Sequence, residues 1–365
     1  MPKVLFAGVY RENSGWGVAS RNYLRAMKSV GIDVVARPII LSQSNYQPDN
    51  EILELENKSS RGCDVIIQHC LPQQMTYSGH FRKCIGLFAP ETSDFEHSEY
   101  TSHLNLMDEI WVPSYYSLEQ CLASYVKPKV VVVPHAFNMP DYSKNYGNVD
   151  IPEVRGDFVF YFVGEVVRRK NLIALVKAFH TEFSYNEPVS LVIKGNRSGL
   201  NDEQCKSFIT ELCNTAKSNL KLYRRGQYKS EIVITGKLAD QQLYALHQNF
   251  DCCVIPSYGE AFCQPLFDAL AFGTRVIAPK VGGHTDYIDE EEYLVEGRYE
   301  NCFGLTESLP DIYTAREICY EVSVSDLRRK MRLAYENKDI TIKNGKTRMF
   351  LLEQIGHDIV SLLEN

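Results

Sequence analysis

The sequence predicts an α/β protein of two domains, each formed by a doubly wound parallel β-sheet with helices on both faces. Short apolar runs typical of buried strands alternate with segments of helical periodicity in both halves of the chain. The 365 residues are long for one domain and sufficient for two. Residues 138–156 are polar and rich in turn-forming residues, as expected of a linker. We therefore assign a first domain to residues 1–145, a second to 146–345 and a C-terminal helix to 346–365.

The first half begins with a strand, a glycine-containing loop and a helix. The apolar run Val4–Val9 predicts a buried strand, and Gly15 and Gly17 lie in the loop that follows it. The helix then runs to a cap at Gly31. This arrangement is one that cradles phosphate groups, although it also fits a tight turn between a strand and a helix. Further strands predicted in this half include Ile32–Ile40 and Asp64–His69.

In the second half, the alternation of strands and helices starts again after the linker. A final amphipathic helix is predicted over Thr347–Leu363, and we expect it to pack on the first domain. The strands predicted between the linker and residue 251 are Phe158–Val163, Ser190–Lys194 and Ile232–Thr235, and the helices there are Leu172–Phe183, Glu203–Ala216 and Asp240–Gln248. A further helix is predicted to begin at Ser325.

The most informative stretch, residues 251–289, reads as strand, loop, helix and strand. Pro265 suits the first turn of the helix, and Gly273 stands where a C-terminal cap belongs. Glu260 lies in the loop, and Asp268, eight positions later, falls about one turn into the helix. Loops at the carboxyl ends of parallel strands are where open α/β sheets bind ligands. The two carboxylates therefore mark a candidate binding site.

The start of this helix also predicts an anion site. The backbone N–H groups of Phe262, Cys263 and Gln264 lie at its positive end, which favours phosphate. One carboxylate before such a site and one beyond it could hold a sugar and a ribose on either side of a diphosphate. A solvated loop glutamate and a helix-start aspartate would explain the same two residues, and their spacing alone does not decide between these interpretations.

The segment resembles the donor-site signature of retaining glycosyltransferases of family 4, in which seven residues separate two glutamates. In this chain, Glu260 is followed after seven residues by Asp268, so the second side chain is one methylene shorter. The resemblance extends to Pro256-Ser257 before the signature and Val276–Ala278 after it. It implies the GT-B fold, in which two Rossmann-like domains face a cleft. It also implies that Glu260 meets the donor sugar and that Asp268 meets the nucleotide ribose.

The resemblance assigns roles in the first domain as well. It implies that the loop with Gly15 and Gly17 faces the donor. His69, at the end of a predicted strand, is similar to a family histidine that could donate a hydrogen bond to a sugar hydroxyl. It could equally be a satisfied core group. Glu91 is a candidate contact to the acceptor, or a plain loop carboxylate.

A leaving diphosphate needs positive charge, either from a metal or from the protein. The chain shows no Asp-x-Asp at a strand end and no histidine cluster, so we expect no metal cofactor. Lys170 follows one predicted strand and Lys194 ends another, and we assign both to the phosphates together with Arg169. Gly236 and Lys237 end a further strand at the same edge and complete the predicted donor site. The alternative to phosphate binding is that these residues are ordinary surface cations at a turn between a strand and a helix.

Composition limits the partners and the compartment. The net charge of -7 gives no general attraction to nucleic acid or to an anionic membrane. The eleven cysteines show no C-x-x-C spacing, which favours buried free thiols in a reducing compartment. The first residues start a strand at once, and no apolar run approaches the length of a membrane span. We therefore expect a cytoplasmic protein without a transmembrane segment.

Taken with the resemblance, these features predict a retaining, metal-independent enzyme that transfers a sugar from a nucleotide-diphosphate sugar to an unidentified hydroxyl acceptor. Three alternatives stay open. The first is another GT-B enzyme, either a sugar phosphorylase or a nucleotide-sugar epimerase. The second is a non-catalytic module that binds a nucleotide sugar or a glycan. The third is a glycosyltransferase that acts on a modified nucleic-acid base, which the acidic charge balance disfavours.

Overall fold

The computed structural model describes residues 1–41, 46–138, 142–222, 227–303, 305 and 315–364. The chain divides into two compact units. The first unit comprises Met1–Asp141, Asp311–Glu317 and Lys346–Asn365, and the second comprises Tyr142–Pro310 and Ile318–Gly345. Each unit is built around a parallel six-stranded sheet. This α/β architecture confirms the predicted fold class, since the apolar runs of the sequence are buried strands in both units.

The sheet of the first unit has the strand order β2-β1-β3-β4-β5-β6. Strand β2 therefore lies on one side of β1, and strands β3 to β6 follow on the other side. Such a reversal opens a crevice between the neighbouring strands β1 and β3 at their carboxyl ends, which is where this class of sheet binds ligands. The strands are β1 (Val4–Gly8), β2 (Val34–Pro38), β3 (Val65–His69), β4 (Lys83–Leu87), β5 (Glu109–Val112) and β6 (Lys129–Val132).

Helices cover this sheet because their apolar faces pack on its buried strands. The first of them, α1 (Gly15–Ser29), begins at Ser14, whose side chain accepts a hydrogen bond from the backbone N–H of Gly17. Its residues Tyr23, Leu24 and Met27 enter the core together with Phe6 and Val34. The other helices are α2 (Asn50–Asn57), α3 (Tyr100–Leu104) and α4 (Tyr115–Ala123).

The sheet of the second unit has the order β12-β11-β10-β7-β8-β9, so its reversal lies between β7 and β10. Its four central strands are rich in valine, isoleucine and aromatic residues and are largely buried on both faces, as parallel strands usually are. The strands are β7 (Phe158–Glu165), β8 (Val189–Asn196), β9 (Ile232–Ile234), β10 (Cys252–Val254), β11 (Arg275–Pro279) and β12 (Leu294–Val295).

A two-stranded antiparallel hairpin, β13 (Gly297–Asn301) and β14 (Ile318–Val322), accompanies this sheet. It is joined to the loop after β10, because the backbone N–H of Tyr320 donates to the carbonyl of Tyr258 at 2.9 Å. The helices of the second unit are α5 (Leu172–Glu182), α6 (Asp202–Leu220), α7 (Asp240–Asn249), α8 (Gln264–Ala271) and α9 (Val324–Glu336).

The last helix, α10 (Leu352–Glu364), belongs to the first unit and packs against α1. Gly356 permits the close approach, since a Cβ atom at this position would lie 2.5 Å from the carbonyl oxygen of Ala26. The single helix predicted over Thr347–Leu363 is wrong at its start, where residues 345–350 form a 3-10 segment. The chain leaves helical geometry there because Phe137 pairs with it, donating to the Phe350 carbonyl at 2.8 Å and accepting from Leu352 at 3.0 Å.

Two other predicted boundaries differ from the structure. The strand expected over Ile32–Ile40 is confined to Val34–Pro38, where the backbone pairs with β1. The linker expected over residues 138–156 is described from residue 142 onward, and residues 139–141 lie outside the described part. From Tyr142, this segment belongs to the second unit, where Tyr142 and Tyr146 pack on Phe272.

Candidate active site

The candidate site of the second unit lies at the carboxyl ends of β7 and β10, where the strand order of the sheet reverses. After β7, the chain makes a 3-10 turn at Arg168–Lys170 before α5 begins. After β10, it forms the loop that contains Gly259 and Glu260 and then enters α8. The two loops are joined by a hydrogen bond from the backbone N–H of Tyr258 to the carbonyl of Arg169, at 2.9 Å. The topology therefore brings the predicted cations and the predicted carboxylate together.

Glu260 is a buried carboxylate held by two cations. Its Oε1 atom lies 2.5 Å from Nζ of Lys170 and 3.2 Å from Nη1 of Arg169, and its side chain is 5% exposed. Arg169 also donates from Nη1 to the carbonyl of Gly259 at 2.7 Å. Burial favours the neutral acid, but the positive charges of Lys170 and Arg169 outweigh it and lower the pKa of Glu260 to about 2. Glu260 is therefore ionised at neutral pH.

The loop between Glu260 and α8 is fixed by buried hydrogen bonds. The Tyr287 hydroxyl lies 2.8 Å from the carbonyl oxygens of both Phe262 and Cys263. The backbone N–H of Gly283 donates to the Glu260 carbonyl at 2.8 Å. Cys263 has a φ of +69°, a left-handed conformation that is uncommon for a residue with a side chain. No sequence pattern indicated this strain, which turns the chain sharply into the helix.

The start of α8 offers donors, as the sequence predicts. In the described part of the chain, the backbone N–H groups of Cys263 and Gln264 have no hydrogen-bond acceptor. Pro265 follows in the first turn, where its missing N–H costs no hydrogen bond. The helix end therefore combines a positive dipole with two available N–H groups, directly after the buried ion pairs of Glu260.

Asp268 lies one turn into α8 and is also buried. Its Oδ1 atom accepts hydrogen bonds from the Tyr142 hydroxyl at 2.7 Å and from Nε2 of Gln264 at 2.8 Å. Burial raises the pKa of Asp268 to about 7, although these two hydrogen bonds favour the ionised form and limit the rise. No local sequence pattern identified Tyr142 as a neighbour, because it precedes Asp268 by more than a hundred residues.

Three further predicted residues lie at neighbouring strand ends. Lys194, near the end of β8, is 8% exposed and pairs in register with Ile234 of β9. Burial lowers its pKa, and among the described residues its side chain has no ion-pair or hydrogen-bond partner. Gly236 follows β9 with a φ of +83°, and a Cβ atom there would lie 2.9 Å from a carboxylate oxygen of Asp202. Lys237 is exposed beside it.

The first unit has a different site at its own strand reversal. His69, at the end of β3, is buried, and its Nδ1 atom is hydrogen-bonded to the Ser20 hydroxyl at 2.6 Å. The Trp16 ring stacks on the His69 ring with centroids 5.0 Å apart, and Tyr23 meets it edge-on. Burial, together with neighbouring His135, keeps the pKa of His69 well below its usual value. His69 is therefore a neutral imidazole in an aromatic setting.

The prediction that Gly15 and Gly17 lie in a loop is wrong, since both are in the first turn of α1. Gly17 is required by packing, because a Cβ atom there would lie 2.0 Å from the carbonyl oxygen of Glu12. Glu91 lies in the segment after β4 and is partly buried. The sequence-predicted residues thus fall into two groups, with Lys170, Glu260 and their neighbours in the second unit.

In the described part of the chain, no group of three or more histidine, cysteine, aspartate and glutamate side chains could hold a metal ion. None of the helices in that part combines the length and the apolar character needed to cross a membrane.

Residues 149–302 match the family described as glycosyl transferases group 1. The matched range includes Arg169, Lys170, Lys194, Glu260 and Asp268, which are the residues placed at the sheet edge of the second unit. This range is 154 of the 365 residues, so the similarity to that family covers less than half of the chain. The match does not distinguish family 4 from other families of this fold, so that finer assignment stays a prediction.

Two curated relatives share parts of this sequence. An uncharacterized glycosyltransferase of Methanocaldococcus jannaschii is 24% identical over 226 residues, which cover 60% of this chain and 54% of the relative. A GDP-mannose-dependent alpha-mannosyltransferase of Corynebacterium glutamicum is 32% identical over 80 residues, which cover 22% of this chain and 19% of the relative. The chain thus spans about half the length of the first relative and about a fifth of the second.

Solved structures resemble the whole chain. Anabaena HepE, in complex with UDP and glucose, aligns with a TM-score of 0.63 and 14% identity, covering all of both chains. The sucrose-phosphate synthase of Thermosynechococcus elongatus aligns with a TM-score of 0.64 and 16% identity, covering 100% of this chain and 98% of that one. At these identities the likeness concerns the fold, which is the GT-B fold.

Proposed function

We propose that this protein is a retaining glycosyltransferase that moves a sugar from a nucleotide-diphosphate sugar to a hydroxyl acceptor without a metal ion. One observation carries the proposal. A buried, ionised Glu260 is held by Lys170 and Arg169 at the strand reversal of the domain that matches the glycosyltransferase family. The neighbours crystallised with UDP, with and without glucose, support a nucleotide-sugar donor by analogy of fold.

The donor diphosphate would bind at the start of α8. The N–H groups of Cys263 and Gln264 and the helix dipole provide neutral donors for its oxygens. Lys194 provides a charge from the neighbouring strand end, and its lack of a protein partner among the described residues supports this role. On the other side of the helix start, Asp268 would accept a hydroxyl of the ribose.

Glu260 and Lys170 would act at the bond that breaks. Transfer breaks the bond between the anomeric carbon and a phosphate oxygen, which leaves negative charge on the diphosphate and positive charge on the sugar. Lys170, with its ammonium group already oriented, would stabilise the diphosphate, and Glu260 would face the sugar. Both groups are fixed before the ligand binds, so little reorganisation is needed as the charges develop. The cations of the protein take the role that a divalent ion has in metal-dependent enzymes.

The acceptor would bind at the sheet edge of the first unit. The Trp16 ring is partly buried there and stacks on the buried, uncharged His69 ring, and a neutral imidazole can both donate and accept hydrogen bonds with hydroxyl groups. Glu91 is the candidate for a further acceptor contact in that unit. The chemistry of this edge suits an uncharged polyol better than an anionic group.

The decisive experiment incubates the purified protein with a panel of UDP-, GDP- and ADP-linked sugars, with water and simple glycosides as acceptors. We expect release of the nucleoside diphosphate from one donor class, both in excess EDTA and after addition of Mg²⁺. NMR spectroscopy of the initial product should show the same anomeric configuration as in the donor. An inverted product would overturn retention, and activity that required Mg²⁺ would overturn the metal-free mechanism. Binding of every donor without turnover would favour a non-catalytic module.

A further inference from the structure

The carboxylate of Asp268 uses its two oxygen atoms differently. Both of its hydrogen bonds, from Tyr142 and from Gln264, end on Oδ1. In the described part of the chain, Oδ2 has no hydrogen-bond partner. A carboxylate offers about four acceptor positions, so a buried carboxylate with one oxygen unused has capacity for a ligand. The side chain is fixed at one end and available at the other.

Tyr142 is held rigidly for this contact. Its ring packs on Phe272 with centroids 4.9 Å apart, on Tyr244 at 5.9 Å and on Phe267 at 6.4 Å. These three partners come from α7, from α8 and from the residue after α8. Gln264, the first residue of α8, is one turn before Asp268 and reaches it along the helix. One donor therefore comes from the same helix as Asp268, and the other comes from a segment 126 residues earlier in the chain.

We propose that Tyr142 is a positioning residue of the nucleotide site, which together with Gln264 fixes Oδ1 of Asp268 so that Oδ2 accepts a ribose hydroxyl. The inference rests on the proposed function and adds a residue to it. An aspartate reaches about 1.5 Å less far than a glutamate, so its ribose contact depends more on where the carboxylate is held. Tyr142 supplies that constraint from outside the helix.

The pKa of Asp268 can show whether the hydrogen bond from Tyr142 is present, because few other groups near Asp268 can change its ionisation. The titratable groups near it are Asp240 on α7, Tyr161 on β7, Cys253 on β10 and Tyr287 after β11. In the described residues, no lysine or arginine is paired with Asp268. Removing the Tyr142 hydroxyl removes a hydrogen bond that favours the ionised form, so it should raise the pKa of Asp268 further. Ligand binding that needs the carboxylate should then require a higher pH.

The test measures, by calorimetry from pH 6 to 9, the binding of UDP or GDP, whichever the wild-type protein binds more tightly. Tyr142→Phe should weaken binding about threefold to tenfold at pH 7 and move the pH of half-maximal affinity upward. Binding of the matching 2′,3′-dideoxy analogue should be the same in wild type and variant. Tyr146→Phe, which removes a hydroxyl from the same aromatic cluster but has no contact with Asp268, should behave as wild type.

A second variant separates positioning from simple loss of structure. Adding Asp268→Glu to Tyr142→Phe lengthens the carboxylate, and we expect it to recover part of the lost affinity for the full nucleotide. Equal losses for the nucleotide and its dideoxy analogue, or no shift of the pH profile, would overturn the role of Tyr142. Failure of the wild-type protein to bind any nucleoside diphosphate would instead contradict the proposed function, so the two outcomes are distinguishable.

Discussion

The two sheets of this protein carry candidate sites at equivalent places in their topology but with opposite chemistry. In the second unit, the strand reversal between β7 and β10 holds the ionised Glu260 with Lys170 and Arg169. In the first unit, the reversal between β1 and β3 holds the neutral His69 against the Trp16 ring. Parallel sheets with such reversals bind ligands at this edge, whatever the ligand is. The side chains, not the sheet, determine what each edge can bind.

Under the proposed function, this difference lets one architecture serve two substrates. A diphosphate needs charge and N–H donors, and the second unit provides both from two loops and a helix start. A sugar hydroxyl needs neutral hydrogen-bonding groups and flat apolar surfaces, and the first unit provides those. The central group of each site is already paired, since Glu260 contacts two cations and His69 is hydrogen-bonded to Ser20. The variants below test this division of roles.

The largest effect is expected from Glu260→Gln. Removing the carboxylate charge should lower turnover about 10²-fold or more, because charge that develops on the sugar in the transition state loses its partner. Glu231→Gln is the matched control, since Glu231 is also buried and paired with a lysine and a histidine but lies before β9, at the opposite edge of the sheet. Steady-state kinetics with the preferred donor would check both variants, and comparable losses would contradict a special role for Glu260.

The charge of the second site can be tested by binding alone. Lys170→Ala and Lys194→Ala should each weaken binding of the nucleoside diphosphate by about 1.5–3 kcal/mol and leave binding of the nucleoside nearly unchanged. Lys217→Ala, which removes a lysine from the Glu231 pair, should affect neither ligand. Calorimetry that showed equal losses for diphosphate and nucleoside would place the phosphates elsewhere.

The role of the first site is tested by measuring the KM for the acceptor and the affinity for the nucleotide separately. His69→Gln should raise the KM for the acceptor about tenfold, through the loss of one buried, well-oriented hydrogen bond, while the Kd for the nucleoside diphosphate stays within twofold of wild type. Ser20→Ala should have a smaller effect in the same direction, because it removes only the group that orients the ring. A loss of nucleotide affinity in these variants would show that the two sites do not divide the substrates.

Much of this arrangement was predictable from the sequence, for identifiable reasons. Glu260, Lys170 and Lys194 follow strong apolar runs, and strand ends in a parallel sheet must share one edge. Pro265 predicted the start of α8 to within a residue, since proline suits the first turn. The left-handed Cys263 was not predictable, because tertiary contacts such as those of the Tyr287 hydroxyl impose it. Gly17 was misplaced because its requirement is contact with the Glu12 carbonyl rather than loop flexibility.

The contacts that join distant segments could also not be predicted from the sequence. Tyr142 lies in a stretch with the composition of a linker, yet it bonds to Asp268 through an aromatic cluster that only the folded chain assembles. The partnership of Ser20 and His69 depends likewise on the packing of α1 over β3. Local patterns indicate strands, helices and their ends, whereas the neighbours of a buried polar group follow from the tertiary fold.

The smallest predicted effect is on the free energy of unfolding, which should fall at acidic pH because His69 of the first site stays neutral. Burial keeps the pKa of His69 well below the value of about 6.5 that it has in the unfolded chain. Below about pH 6.5, the unfolded state therefore binds a proton that the folded state does not, so stability falls as the pH falls.

Between pH 7 and pH 6, a histidine that stays neutral in the folded state costs about 0.7 kcal/mol of unfolding free energy. His69→Gln should remove this contribution, so its unfolding free energy, measured in urea, should decrease less than that of wild type over this interval. His135, whose pKa burial lowers to about 3, should give the same dependence and remains present in the variant as an internal reference. An unchanged pH slope in His69→Gln would mean that the ring titrates alike in the folded and unfolded states, and a steeper decrease than in wild type would mean that the folded protein holds the ring protonated.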